Sequence, residues 1–147
     1  MSGYLLDTNV LAELRRPRPS ARVVNFVSAQ PLEQLFVSSV SLAEIRSGIE
    51  AVTDPKKRAE LAAWLSNVVR PMFARRVIAV SEDVMCTWRV LVEDGRKSGH
   101  TFSQPDLIIA ASALCHGLTV VTRNARDFAK ASVPLVNPWA AARPSSG

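Results

Sequence analysis

Short apolar runs alternating with amphipathic stretches constrain this chain more than any other feature. Runs at Tyr4 to Leu6, Leu35 to Ser38, Val77 to Val80, Thr119 to Thr122 and Val133 to Val136 are too short for helices and read as five strands. Between them, apolar residues recur at helical spacing, as in Val23, Phe26 and Val27, in Leu42, Ile45, Ile49 and Val52, and in Leu61, Trp64, Leu65 and Val68. Boundary signals agree: Thr53 and Asp54 precede Pro55, Ser81 precedes Glu82 and Asp83, and Gly117 closes the Leu107 to His116 segment. Strands alternating with helices specify an α/β fold in which helices cover a parallel sheet. With 147 residues the chain suits one domain, expected over 1–140, with 141–147 a disordered polar tail. Arg15 to Pro19 reads as a loop rather than a domain boundary.

In an open parallel sheet the carboxyl ends of all strands share one edge, and ligands bind there. Four acids are placed to reach it. Asp7 directly follows the first strand, Glu44 follows the second in Ser41-Leu42-Ala43-Glu44, Asp106 opens the Ser103 to His116 helix, and Asp127 follows the fourth strand. Carboxylates gathered at one point repel unless a cation neutralises them, and oxygen ligands without His or Cys suit Mg2+ or Mn2+. Such an ion acidifies bound water and stabilises charge on a phosphodiester under attack. Each acid also has a purely structural reading. Ser41-x-x-Glu44 and Ser103-x-x-Asp106 resemble capping boxes, and Asn124-x-x-Asp127 resembles a third helix start. Asp7 fits that reading least, because a carboxylate ending an apolar strand is costly to bury without a partner.

Composition narrows the function further. Hydrophobic residues make up 48% and charged residues 21%, enough for a core and unlike a disordered chain. Eighteen Lys and Arg against thirteen Asp and Glu give a net charge of +5, which favours a polyanionic partner. Arg15, Arg16, Arg18 and Arg22 follow the first acid and Arg123 and Arg126 bracket the fourth, so a basic rim suited to an RNA backbone is expected around the acids. The alternative is a solvated charged surface. Cys86 and Cys115 lack metal-type spacing, and no apolar run approaches the ~18 residues of a membrane span, so a cytoplasmic protein without a membrane partner is expected. His100 and His116 stand apart from any ligand pair, while Trp64 and Trp88 fall on amphipathic helices and are assigned to packing.

At these residues the chain resembles the PIN-domain family, in particular VapC-type toxins and their FitB-like branch. The matching blocks are Leu-Leu-Asp-Thr-Asn at 5 to 9, Ser-x-x-x-x-Ala-Glu-Ile-Arg at 38 to 46, Pro-Asp-x-x-Ile-Ala-Ala at 105 to 111, Thr-Arg-Asn-x-x-Asp-Phe at 122 to 128, and Asn-Pro-Trp at 137 to 139. The resemblance implies a parallel five-stranded sheet flanked by helices. It implies a toxin endoribonuclease with Asp7, Glu44, Asp106 and Asp127 around one or two Mg2+ or Mn2+ ions, Asp7 and Asp106 being the principal ligands. Glu44 would orient water or hold a second ion, and Asp127 would complete the pocket. Thr8, Asn9 and Asn124, with Arg123 of the basic rim, are the expected substrate contacts. A small antitoxin and a homodimer are implied as partners. Two rivals stand beside this reading: a catalytically silent binding module of the same fold, and a phosphohydrolase of the haloacid dehalogenase kind. The latter needs Asp-x-Asp, whereas position 9 is Asn.

Overall fold

A strand that is apolar at every position needs cover on both faces, and the arrangement of elements supplies it. The computed structural model describes residues 3–100 and 103–140; the expected tail at 141–147 lies outside the described residues. The order is β1 (Tyr4–Leu6), α1 (Thr8–Arg15), α2 (Ala21–Ser28), β2 (Leu35–Ser38), α3 (Ser39–Glu50), α4 (Pro55–Trp64), α5 (Arg70–Met72), β3 (Val77–Ile78), α6 (Glu82–Lys97), α7 (Gln104–His116), β4 (Thr119–Val121), α8 (Ala125–Ala129) and β5 (Leu135–Val136). A π-helical stretch, Leu65–Val69, joins α4 to α5.

All five strands are parallel, in the order β3-β2-β1-β4-β5. The register pairs Leu5 with Val120 and Leu6 with Val121. Successive side chains point to opposite faces, so each pair serves a different core. Leu5 and Val120 pack with Val84 and Leu91 of α6 and with Leu107 and Ile109 of α7. Leu6 and Val121 pack with Val10 and Leu11 of α1, Val23 and Val27 of α2, Leu42 of α3 and Phe73. The result is a three-layer sandwich. The four central strand residues are all fully buried, and each contributes on the order of 1.5–3 kcal/mol by burial.

Where strand limits differ from expectation, hydrogen bonding accounts for it. The run Val77 to Val80 is a strand only over Val77–Ile78, because its neighbour β2 ends at Ser38, opposite Ile78, and turns directly into α3. The run beginning at Val133 pairs only from Leu135. Pro134 has no N–H to give the ladder, and Val133 serves as buried core instead. Trp64 and Trp88 are half-buried against the two cores, as their helix positions suggested. Cys86 and Cys115 are free and exposed, and His116 ends α7 on the surface. Among the described residues no helix is long and apolar enough to cross a membrane.

Candidate active site at the carboxyl edge of the sheet

The two central strands deliver Asp7 and Thr122 side by side. The ladder continues one residue past β1, with the Asp7 N–H donating to Val121 O at 3.0 Å, and one past β4, with the Thr122 N–H donating to Val136 O at 3.0 Å. Asp7 is only 4% exposed and Thr122 is fully buried. The Thr122 hydroxyl donates to Asp7 Oδ2 at 2.7 Å, the Thr8 N–H donates to Asp7 Oδ1 at 2.8 Å, and Asn9 Nδ2 reaches Oδ2 at 3.3 Å. Asp7 therefore also caps α1, a role its position after an apolar strand had not suggested.

Burial pushes the Asp7 carboxyl above its ordinary value, against the Thr122 and Thr8 hydrogen bonds, and the nearby charges of Asp106 and Glu44 push it further. Asp106 is also raised, by burial first, with the Ser103 hydroxyl opposing and the Asp127 charge adding. The four acids thus form a chain of electrostatic neighbours, Glu44 beside Asp7, Asp7 beside Asp106, and Asp106 beside Asp127. Thr8 links two of them, its N–H on Asp7 and its hydroxyl donating to Glu44 Oε1 at 3.0 Å.

Local sequence explains how each acid gets there. The chain leaves β2 straight into α3, capped by the Ser38 hydroxyl accepting the Val40 N–H at 3.1 Å. The expected cap was Ser41, three residues later. Glu44 consequently lies in the second turn of α3 rather than the first, and Ser41 is a buried helix residue whose hydroxyl lacks a partner among the described residues. Ser103 does cap α7, accepting the Asp106 N–H at 3.3 Å. Asn124 precedes α8 without a side-chain cap bond; its N–H donates instead to Thr122 Oγ1 at 3.0 Å. Asn9 Oδ1 accepts the Arg123 N–H at 3.3 Å, so of the substrate-contact candidates Thr8 and Asn9 bond the acids directly, while the backbones of Arg123 and Asn124 are tied to them through Asn9 and Thr122.

Thr122 is a site residue that sequence reasoning missed, although a hydroxyl ending the strand beside β1 was a usable signal. Glu13 and Trp139 were missed as well. Glu13 is 5% exposed on α1, and the Trp139 indole N–H donates to its Oε1 at 3.1 Å. Neither residue lies in a pattern that reveals the other.

Every candidate ligand offers oxygen, and a divalent cation would offset the repulsion that adds to burial in raising Asp7 and Asp106, so the donor set fits a hard ion in kind. Among the described residues no three His, Cys, Asp or Glu side chains are gathered closely enough to hold one ion. The Asp7 and Glu44 carboxylates are turned onto the protein's own donors, Thr8, Asn9 and Thr122. A cavity of about 510 Å3 lies away from the acids, lined by Arg46, Ile49, Arg58, Leu65 and Arg70, and offers no comparable group of acids.

With strands 3-2-1-4-5 and acids at the carboxyl ends of β1 and β4 in place, comparison with known proteins decides the family. The PIN-domain model matches residues 4–134. The chain belongs to the PIN-domain family. This PIN domain is 36% identical over 135 residues to Toxin FitB of Neisseria gonorrhoeae, covering 92% of the chain and 97% of the relative. It is 34% identical over 135 residues to VapC ribonuclease Y4jK of Sinorhizobium fredii, covering 92% and 96%. The crystal structure of FitAcB from Neisseria gonorrhoeae superposes with a TM-score of 0.87 at 35% identity, covering 92% of this PIN domain and 98% of that chain.

Proposed function

We propose that this PIN domain is a divalent-metal-dependent endoribonuclease acting as the toxin of a toxin–antitoxin pair. The observation that carries the reading is Asp7, buried at the sheet edge with Asp106 and Glu44 near enough to raise it. Its similarity to proteins named as a toxin and as a ribonuclease points the same way. Asp7 and Asp106 would hold the cation, Mg2+ or Mn2+, with Glu44 and Asp127 beside them; when bound, the ion supplies Lewis-acid stabilisation of charge on the phosphate.

The remaining work falls to the chain itself. Thr122 and the Thr8 N–H hold the Asp7 carboxylate in one orientation, which limits the loss of geometry that catalysis tolerates poorly. Glu44 is solvent-exposed and steadied by the Thr8 hydroxyl, a position suited to accepting a proton from an attacking water. The basic residues around the acids hold the strand, and the net charge of +5 draws it in. A nuclease directed at cellular RNA requires a neutralising partner, for which a small antitoxin is proposed, together with a homodimer and a cytoplasmic location.

The test is direct. Purified protein freed of any partner is incubated with a mixed RNA pool in Mn2+ or Mg2+ and in excess chelator, and the cleaved ends are mapped. We expect internal cuts with metal and none in chelator; full cleavage in chelator would sink the metal-dependent mechanism.

A further inference from the structure

Next to the acids lies a cleft of about 300 Å3 whose lining includes Asn9, Glu13, Arg15, Arg16, Arg123 and Trp139. Asn9 is its shared wall with the acidic site, donating to Asp7 on one side and accepting the Arg123 N–H on the other. Three arginines face one carboxylate, and that carboxylate is already engaged: Glu13 lies 3.4 Å from Arg16 and accepts the Trp139 indole N–H. The cleft keeps a surplus of positive charge beside a site that is itself negative.

Two of the guanidinium groups are held in the same way. The Arg123 guanidinium lies over the Trp139 ring, 5.4 Å from its centroid, and that of Arg15 over Trp64 at 5.9 Å. A cation–π contact holds a guanidinium beside a ring without using its N–H donors, which suits a phosphate better than an arginine already committed to a carboxylate. Among the described residues Arg123 has no carboxylate partner. Trp139 in turn is pinned from several directions. Its N–H donates to Asn137 Oδ1 at 3.0 Å, its carbonyl accepts from Arg22 at 3.2 Å, and its indole is tied to Glu13.

We propose that this cleft is a phosphate subsite for the RNA strand, adjoining the site of the scissile phosphate, with Arg123 as the contact and Trp139 as the residue that positions it. The inference rests on the ribonuclease reading and deepens it. Asn9 bonds Asp7 on one side and the Arg123 N–H on the other, so a strand whose scissile phosphate meets the acids has a continuous route over Asn9 to Arg123. Glu13 acts at one remove, fixing the indole on which the guanidinium lies.

Binding of a labelled single-stranded oligoribonucleotide, measured in Mn2+ against salt in an Asp106→Asn background, tests this. Each lost phosphate contact on single-stranded nucleic acid lowers the slope of log affinity against log salt by about 0.7. Arg123→Ala should therefore lower it by that amount, so that over a fourfold rise in salt it loses about 2.6-fold less affinity than its parent. Arg123→Lys should keep the slope and bind more weakly, since an ammonium neither forks nor stacks as a guanidinium does. Trp139→Ala should weaken binding, and this effect should vanish when Arg123 is already Ala, the signature of action through Arg123. Trp139→Phe, which keeps a ring but loses the bond to Glu13, covers the case in which the alanine variant does not fold; it should show a smaller loss that vanishes in the same way. An unchanged slope in Arg123→Ala, or additive losses at 123 and 139, would overturn the subsite while wild-type cleavage in Mn2+ left the ribonuclease reading standing. A wild type that neither binds nor cuts RNA in Mn2+ would remove that reading and the subsite with it.

Discussion

Asp7 spends its oxygens on Thr8, Asn9 and Thr122, and is nevertheless raised above its ordinary value because burial and two neighbouring acids outweigh those donors. Asp106 shows the same balance, and its surroundings separate capping from metal binding. The cap of α7 is Ser103, which receives the backbone N–H of residue 106, so Asp106→Asn leaves that bond intact and removes a charge that its neighbours oppose. We expect the variant to melt at the same temperature as wild type in chelator or higher, to gain less from millimolar Mn2+, and to lose RNA cleavage. Were the carboxylate only complementing the helix dipole, the substitution would instead cost roughly 0.3–1 kcal/mol and spare cleavage. Melting curves in chelator and in Mn2+, run beside the cleavage assay, distinguish the two.

At the level of elements, the immediate passage from β2 into α3 decides where Glu44 lies. A capping Ser at 38 rather than 41 starts the helix three residues early, and Glu44 then reaches Thr8 from its second turn. Ser41 is followed by Leu42 and Ser38 by a second serine, but only Ser38 sits where the ladder ends and the backbone is still extended. The same helix carries an avoidable weakness in Gly48, exposed in its interior, where an added Cβ would meet nothing within 4 Å. Gly48→Ala should stabilise the fold by about 0.5–1 kcal/mol by reducing the freedom of the unfolded chain. For a domain of this size that raises the melting temperature by about 1–4 °C. RNA cleavage should be unaffected, and a lower melting point would show that position 48 packs in a way its open surroundings do not suggest.

Across the whole molecule, the first helix and the segment after the last strand are joined by Glu13 and Trp139. That tie has a pH signature. The indole hydrogen bond holds the Glu13 carboxyl below its ordinary 4.5, with burial opposing and the charge of Arg16 assisting. A group whose folded value is depressed binds more protons when unfolded, so its stabilisation is complete above its unfolded value and is lost as pH falls through the lower folded one. Asp7 and Asp106 are raised and act with the opposite sign, favouring the metal-free fold as pH falls. Glu13→Gln keeps an oxygen for Trp139 but cannot titrate. We expect it to be less stable than wild type near neutral pH, with the difference closing below pH 4.5. Thermal melts across that range check this, and a difference independent of pH would show that the Glu13 charge contributes nothing.

The strand-and-helix alternation, the placing of Asp7, Glu44 and Asp127 after β1, β2 and β4, and that of Asp106 in the first turn of α7 were legible in the sequence, because burial on both faces and the ends of elements leave local marks. Asp7 could be picked out because polar groups seldom end an apolar run without cause. The family resemblance named Thr8, Asn9 and Asn124, and charge beside the fourth acid named Arg123; Thr8 and Asn9 bond the acids in the fold, and the Arg123 and Asn124 N–H groups bond Asn9 and Thr122 next to them. Thr122 on Asp7, 115 residues away in the chain, and Trp139 on Glu13, 126 residues away, were decided by tertiary structure alone. A hydrogen bond between distant segments leaves no period and no spacing in either of them. It exists because the parallel order 3-2-1-4-5 sets β4 against β1 and returns the segment after β5 to the first helix.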